Sequence, residues 1–244
     1  MPEGPSTIIL AEAIHQFKGK KILTAAGIAD IDMDLLPGHK LTDIKTFGKN
    51  TLLCLPGNKT IRIHLMMFGS YEIDSEKDRK PKLCLTFANG YVCFYTCIVE
   101  WLEGNPDDFY DWSADIMHKK WSTAKAKKKL LEKPEAYICD TLLNQEIFAG
   151  VGNIIKNEGL FLGRIHPETK VGAIPAARLI KLINKTREYT FNFLKWKKAG
   201  ELKKRWLVYT KKKCPVCDSP LEKKYTGTTK RRTFFCSNCQ EKFK

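Results

Sequence analysis

The chain has 244 residues, 43% of them apolar, and a formal charge of +15 from 42 Lys and Arg against 27 Asp and Glu. That length supports a real core and two or three units, and the charge calls for a polyanionic partner. Apolar runs fall far short of the ~20 residues of a membrane span, and no charged-then-apolar leader opens the chain, so neither a membrane nor a secreted protein is expected.

The opening Met1-Pro2-Glu3-Gly4-Pro5 admits two readings. A small residue after Met1 favours its removal, which would leave Pro2 with a free secondary amine. Such an amine attacks an aldehyde-like sugar carbon to give an iminium, and Glu3 beside it is a candidate proton carrier. The plainer reading is a helix start, where Pro and an acid are both common. Ile9, Leu10, Ala13, Ile14 and Phe17 then recur at helical spacing and predict one amphipathic helix ending before Lys18. From Lys21 to Val99 the pattern becomes that of strands. Thr51–Leu55 and Thr60–Leu65 flank a Pro56-Gly57-Asn58 turn, and Asn89-Gly90 marks a hairpin. Several short strands with one helix suggest a β-sandwich-like domain. Met66-Met67-Phe68, between His64 and Gly69, reads as a strand-end apolar wedge or as plain core.

Asn105–Asp115 is acidic and turn-rich and reads as a linker. Lys119–Lys133 is a basic helical run, either solvated or facing nucleic acid. Two helical stretches then bracket Phe148-Ala149-Gly150-Val151-Gly152-Asn153. There a glycine turn with exposed amides, a helix start and the Asn153 amide together suit a phosphate. Another helix follows Pro175. Nine cysteines are present. Cys54, Cys84, Cys93, Cys97 and Cys139 lie in apolar surroundings and read as buried reduced thiols in a cytoplasmic protein. The other four form Cys214-x-x-Cys217 and Cys236-x-x-Cys239, eighteen residues apart, which fits one four-thiolate zinc of closed shell and structural role. The intervening Leu221–Phe235 predicts a hairpin whose tip, Lys230-Arg231-Arg232, presents cations to a phosphate.

Taken in order, the MPEGP start, Gly48-Lys49, Gly150-Val151-Gly152-Asn153 and the terminal four-cysteine finger resemble the formamidopyrimidine-DNA glycosylase/endonuclease VIII family over essentially the whole chain. The resemblance implies an α+β protein in three parts. These are an N-terminal β-sandwich with one long helix (1–112), a helix–two-turn–helix domain (113–212) and a zinc-finger β-hairpin (213–244), with DNA in a cleft between the halves. It further implies a monomer acting on damaged double-stranded DNA without a membrane, cytoplasmic in a bacterium and nucleoid-associated through that DNA. Its activity would be bifunctional: base excision through Pro2 as nucleophile and Glu3 as acid/base, then β,δ-elimination of the backbone. Lys49 and Arg231 join them as catalytic-site cations that also hold phosphate, Asn153 is a further phosphate clamp, and Glu158 matches a family carboxylate of unassigned role. MPEGP rather than MPELP, and the short Lys197–Lys213 path to the finger, point to the endonuclease VIII branch and to oxidised pyrimidines. Two departures stand out: Ser6 replaces a common Glu, and Met66-Met67-Phe68 replaces the usual Gln-Leu-Tyr wedge. A purine-directed glycosylase and a non-catalytic zinc-finger nucleic-acid binder are the alternatives.

Overall fold

The computed structural model describes residues 2–244, so the fate of Met1 lies outside the described residues. The chain divides into two compact units, Met1–Asp111 and Trp112–Lys244.

The first unit joins helix α1 (Gly4–Ala13) to six antiparallel strands: β1 (Thr24–Ala26), β2 (Asp43–Phe47), β3 (Asn50–Leu55), β4 (Lys59–Ile73), β5 (Leu83–Phe87) and β6 (Gly90–Glu103). They form one hydrogen-bonded sheet in the order β1-β5-β6-β4-β3-β2. Alternation sets the core: Ile61, Ile63 and Leu65 of β4 are buried together with Leu10, Ile14 and Phe17. Phe17 stacks on Phe87 with ring centroids 4.6 Å apart. The predicted single helix tightens after Ala13 into a 3-10 turn, His15–Phe17. Its first turn, Gly4–Thr7, is buried on every side, so amphipathicity describes only the later residues.

β4 and β6 run longer than their turn signals suggest, because a bulge interrupts their pairing without ending it. Leu65 pairs with Cys97 and Ser70 with Tyr95, so residues 66–69 face Thr96 alone. Gly69 lets the backbones close here, since a Cβ would stand 2.8 Å from the Met66 nitrogen and from the Thr96 carbonyl oxygen. Thr96 takes φ +50, a left-handed backbone that a β-branched residue rarely adopts.

Two cysteine expectations need correction. Cys84 and Cys93 are not reduced thiols but a disulfide, because the β5–β6 register puts them directly opposite with Cα atoms 4.0 Å apart. Cys97 and Cys139 are buried and free, whereas Cys54 is only half-buried. The predicted linker holds a one-turn helix, α2 (Pro106–Phe109), capped by Asn105 and tied to β2 through Asp107 and Lys45 at 3.3 Å.

In the second unit α3 (Thr123–Leu131), α4 (Ile138–Thr141), α5 (Asn153–Gly163) and α6 (Ala176–Lys198) precede a hairpin of β7 (Glu222–Thr226) and β8 (Arg231–Phe235). Phe148, Ile155, Leu160, Leu179, Leu182 and Ile183 are central to its core. A smaller apolar cluster at the finger gathers Phe161, Val208 and Phe234. Among the described residues, no helix is long and apolar enough to cross a membrane.

Candidate active site and nucleic-acid interface

In the first unit the site begins at the start of α1. Glu3 is the helix N-cap residue and is fully buried, next to a half-buried Pro2. Ser6, where a Glu is common in the resembling family, closes the cap: its Oγ accepts the Glu3 backbone N–H at 3.3 Å. Thr7 Oγ1 donates to the Gly4 carbonyl at 2.7 Å and lies 3.1 Å from the Gly48 carbonyl. That contact brings the helix start against the two-residue β2–β3 turn, Gly48-Lys49. Gly48 has φ +56, which suits so tight a turn.

Sequence reasoning passed over His64. It stands opposite Asn50, the residue after Lys49, with Nδ1 and Asn50 Oδ1 3.0 Å apart. Burial first, then the Lys49 and Arg62 charges, hold its pKa below the ordinary imidazole value. Arg62 is itself paired with Glu100. The Met66-Met67-Phe68 triplet lies in the middle of a strand, not at its end. The bulge throws Met66, Met67 and Phe68 outward at 44%, 53% and 78% exposure, which rules out core filling.

In the second unit the glycine turn is closed rather than open. Gly150 to Asn153 are buried, and Gln145 accepts the Gly150 N–H at 3.1 Å. Asn153 opens α5 but is only 4% exposed, and its Nδ2 donates to the Arg232 carbonyl at 2.9 Å while Oδ1 stays buried without a partner. Asn153 is therefore built into the finger's own strand. Lys156 and Asn157 continue this face of α5. The fully buried Lys156 Nζ donates to Thr233 Oγ1 at 2.7 Å, and Asn157 Oδ1 accepts the Phe234 N–H at 2.6 Å. Spacing of i, i+3 and i+4 aligns three polar side chains along β8. That polar stripe on a buried helix was the signal to read in the sequence. Arg231 and Arg232 are exposed on the strand so held.

Glu158 turns to another side of the same helix. Its fully buried carboxylate accepts three backbone N–H groups, from Leu207 at 2.9 Å, Val208 at 3.0 Å and Tyr209 at 2.8 Å. Burial pushes its pKa up, against the pull of those donors.

The four finger sulfurs, of Cys214, Cys217, Cys236 and Cys239, all lie within 4.8 Å of one another. Cys214 and Cys239 are 3.8 Å apart, and Cys217 and Cys236 3.5 Å. A tetrahedral shell with Zn–S of about 2.3 Å sets neighbouring sulfurs about 3.8 Å apart, so these residues fit the metal.

Comparison with known proteins places this geometry among relatives. The formamidopyrimidine-DNA glycosylase N-terminal domain matches residues 1–98, and the formamidopyrimidine-DNA glycosylase H2TH domain matches residues 114–198. Endonuclease 8-like 3 of Mus musculus is 28% identical, over 99% of this chain and 44% of that protein. The Xenopus laevis counterpart is 30% identical, over 90% and 38%. The chain thus spans less than half the length of these relatives. A formamidopyrimidine-DNA glycosylase of Lactobacillus helveticus is 28% identical, over 86% of this chain and 84% of that protein. In fold the chain is similar to Lactococcus lactis formamidopyrimidine-DNA glycosylase bound to abasic-site DNA, with TM-score 0.86 and 22% identity over 98% of this chain and all of that one. A viral DNA glycosylase gives TM-score 0.85 at 23% identity, again over 98% of this chain and all of that one.

Proposed function

Because the chain belongs to the formamidopyrimidine-DNA glycosylase/endonuclease VIII family, we propose that it is a bifunctional DNA glycosylase/AP lyase of the endonuclease VIII-like branch. It removes oxidised bases, pyrimidines ahead of purines, from double-stranded DNA. The observation that carries this reading is Glu3. Glu3 has no exposure and adjoins Pro2, so its carboxyl is held out of water beside the amine it would serve, on a helix start that Thr7 brings against the Gly48-Lys49 turn. With Met1 removed, the Pro2 amine attacks C1′ of the damaged nucleoside. The C1′–N bond breaks with its electron pair leaving on the base, which takes a proton delivered by Glu3. The sugar ring then opens: the C1′–O4′ bond breaks with its electron pair on O4′, which takes up the proton shed by the Pro2 nitrogen, and the nitrogen lone pair forms the C1′ iminium. That iminium acidifies the C2′ hydrogen, and loss of that proton expels the 3′ phosphate. A second elimination expels the 5′ phosphate.

Lys49 in the first unit and Arg231 in the second each serve as a phosphate-holding cation, and Asn153 takes part by fixing the Arg232 backbone. Met66, Met67 and Phe68 fill the space left by an extruded nucleotide. The four cysteines would hold one structural zinc that fixes the finger, and we read the second unit as a helical part (113–212) and the finger (213–244), in a protein acting as a monomer. The pyrimidine preference is supported by the segment after α6. It holds a 3-10 turn at Leu202–Arg205 and a Leu207–Tyr209 stretch pinned by Glu158, which leaves little free chain to cover a purine.

The test is borohydride trapping on duplexes carrying thymine glycol, 8-oxoguanine opposite cytosine, or an abasic site. Covalent adducts are expected on all three, with thymine glycol well ahead of 8-oxoguanine. Retaining Met1 should abolish adducts while binding persists. Normal trapping by the blocked form would remove Pro2 from the mechanism, and a preference for 8-oxoguanine would reverse the substrate class.

A further inference from the structure

The turn at the tip of the finger hairpin, Gly227-Thr228-Thr229-Lys230, is not held by its own strands alone. Asp140, on α4, meets it with both carboxylate oxygens. Oδ2 accepts the Thr228 backbone N–H at 2.7 Å and the Thr228 hydroxyl at 3.0 Å. Oδ1 accepts the Thr229 N–H at 3.2 Å and the Thr229 hydroxyl as well. Four donors converge on one carboxylate, and bonds of this charge-assisted kind are the stronger ones. The turn is shaped to receive it. Gly227 has φ +69, and a Cβ there would stand 2.4 Å from each Asp140 oxygen. Burial raises the Asp140 pKa, but the Thr229 and Thr228 donors outweigh it and leave the carboxyl below its ordinary value.

The position of this clamp gives it a consequence. Arg231 directly follows the turn, and the next three residues of β8 are bonded to Asn153, Lys156 and Asn157 of α5. The Arg231 backbone is therefore bracketed, by α4 on one side and α5 on the other, while its side chain is exposed. We propose that Asp140 is a positioning residue for Arg231: it fixes the hairpin turn so that the guanidinium is already aimed at a DNA phosphate before the duplex arrives. This rests on the reading of Arg231 as a phosphate clamp. A pre-set cation binds more tightly than a mobile one because less freedom is lost on association.

The experiment measures affinity of the full, zinc-loaded chain for a duplex with a tetrahydrofuran abasic analogue, over a salt series. Four forms are compared with the parent: Arg231→Ala, Asp140→Ala, Asp140→Asn and the double variant Asp140→Ala/Arg231→Ala. Arg231→Ala should weaken binding by about tenfold to a hundredfold, as for a lost hydrogen bond to a charged group, and flatten the log–log salt slope by ~1. Asp140→Ala should reproduce most of that loss with one zinc per chain retained. Asp140→Asn, which keeps one acceptor oxygen, should fall between. The double variant should bind no worse than Arg231→Ala alone, because Asp140 acts through Arg231. Parent-like binding by Asp140→Ala beside a weakened Arg231→Ala overturns the proposal and leaves the Arg231 reading intact, and additive losses do the same. Parent-like binding by Arg231→Ala overturns the clamp reading itself, and the positioning role with it. Amide exchange at Thr228 and Thr229 in Asp140→Ala reports separately whether the turn has loosened.

Discussion

Glu158→Gln separates a structural role from a chemical one. The parent carboxylate divides three backbone donors between its oxygens, Val208 and Tyr209 on Oε1 and Leu207 on Oε2. Glutamine keeps one oxygen for two of them and turns an NH₂ group toward the third. One backbone N–H is then left buried without an acceptor, at a cost of about 1–3 kcal/mol. For a chain of this size each kcal/mol lowers the melting temperature by about 2–4 °C, so a loss of roughly 2–12 °C is expected by calorimetry. Glu158→Ala, which strands all three donors, should lose more. Borohydride trapping at saturating abasic DNA, below the melting range, should stay close to that of the parent, since Pro2 and Glu3 belong to the other unit. An unchanged melting temperature together with lost base excision would refute the reasoning and make Glu158 a proton carrier.

Three further outcomes follow from the same geometry. His64 has a folded pKa below that of the unfolded chain, so its contribution to stability is present above about pH 6.5 and is lost as pH falls through the lower folded value. His64→Gln should flatten the loss of stability below about pH 6.5, read by denaturant titration, though not erase it, because burial and Lys242 depress His166 likewise. Phe68→Ala should leave stability within about 0.5 kcal/mol, as expected at a site 78% exposed. It should nevertheless weaken lesion-duplex binding severalfold in a fluorescence titration, and equal affinities would remove Phe68 from the wedge. Chelation should release one zinc per chain and open the β7–β8 amides to exchange while the first unit keeps its melting transition. A finger that stayed protected without metal would contradict its role in folding.

Much of this protein is legible in its residues because the signals are local. The alternation of Ile61, Ile63 and Leu65, the Asn89-Gly90 turn and the paired Cys-x-x-Cys motifs each fix structure within a few positions. What escaped depends on chain segments far apart in sequence. Asn153 reads as a phosphate donor, and nothing nearby says that Arg232, 79 residues on, engages one of its amide hydrogens as well. Cys84 and Cys93 read as reduced because pairing across two strands depends on register, which composition does not show. Asp140, in an unremarkable helical turn, meets Thr228 and Thr229 88 and 89 residues away. Glu158 was visible as a family carboxylate, yet its partners are backbone amides, which no side-chain pattern can reveal.

The β4–β6 bulge also bears on how such a protein can diversify. Regular pairing resumes on both sides, at Leu65 with Cys97 and at Ser70 with Tyr95, so the register of the core does not depend on what occupies the positions between them. Met66, Met67 and Phe68 are thereby decoupled from folding: a change there alters the exposed surface without touching the buried faces of either strand. Few positions in a sheet have that freedom, since elsewhere each second residue belongs to the core. Randomising these three codons should give a library in which most members fold, and selection on lesion-bearing duplexes could then move substrate preference directly, without a first round of stabilising mutations.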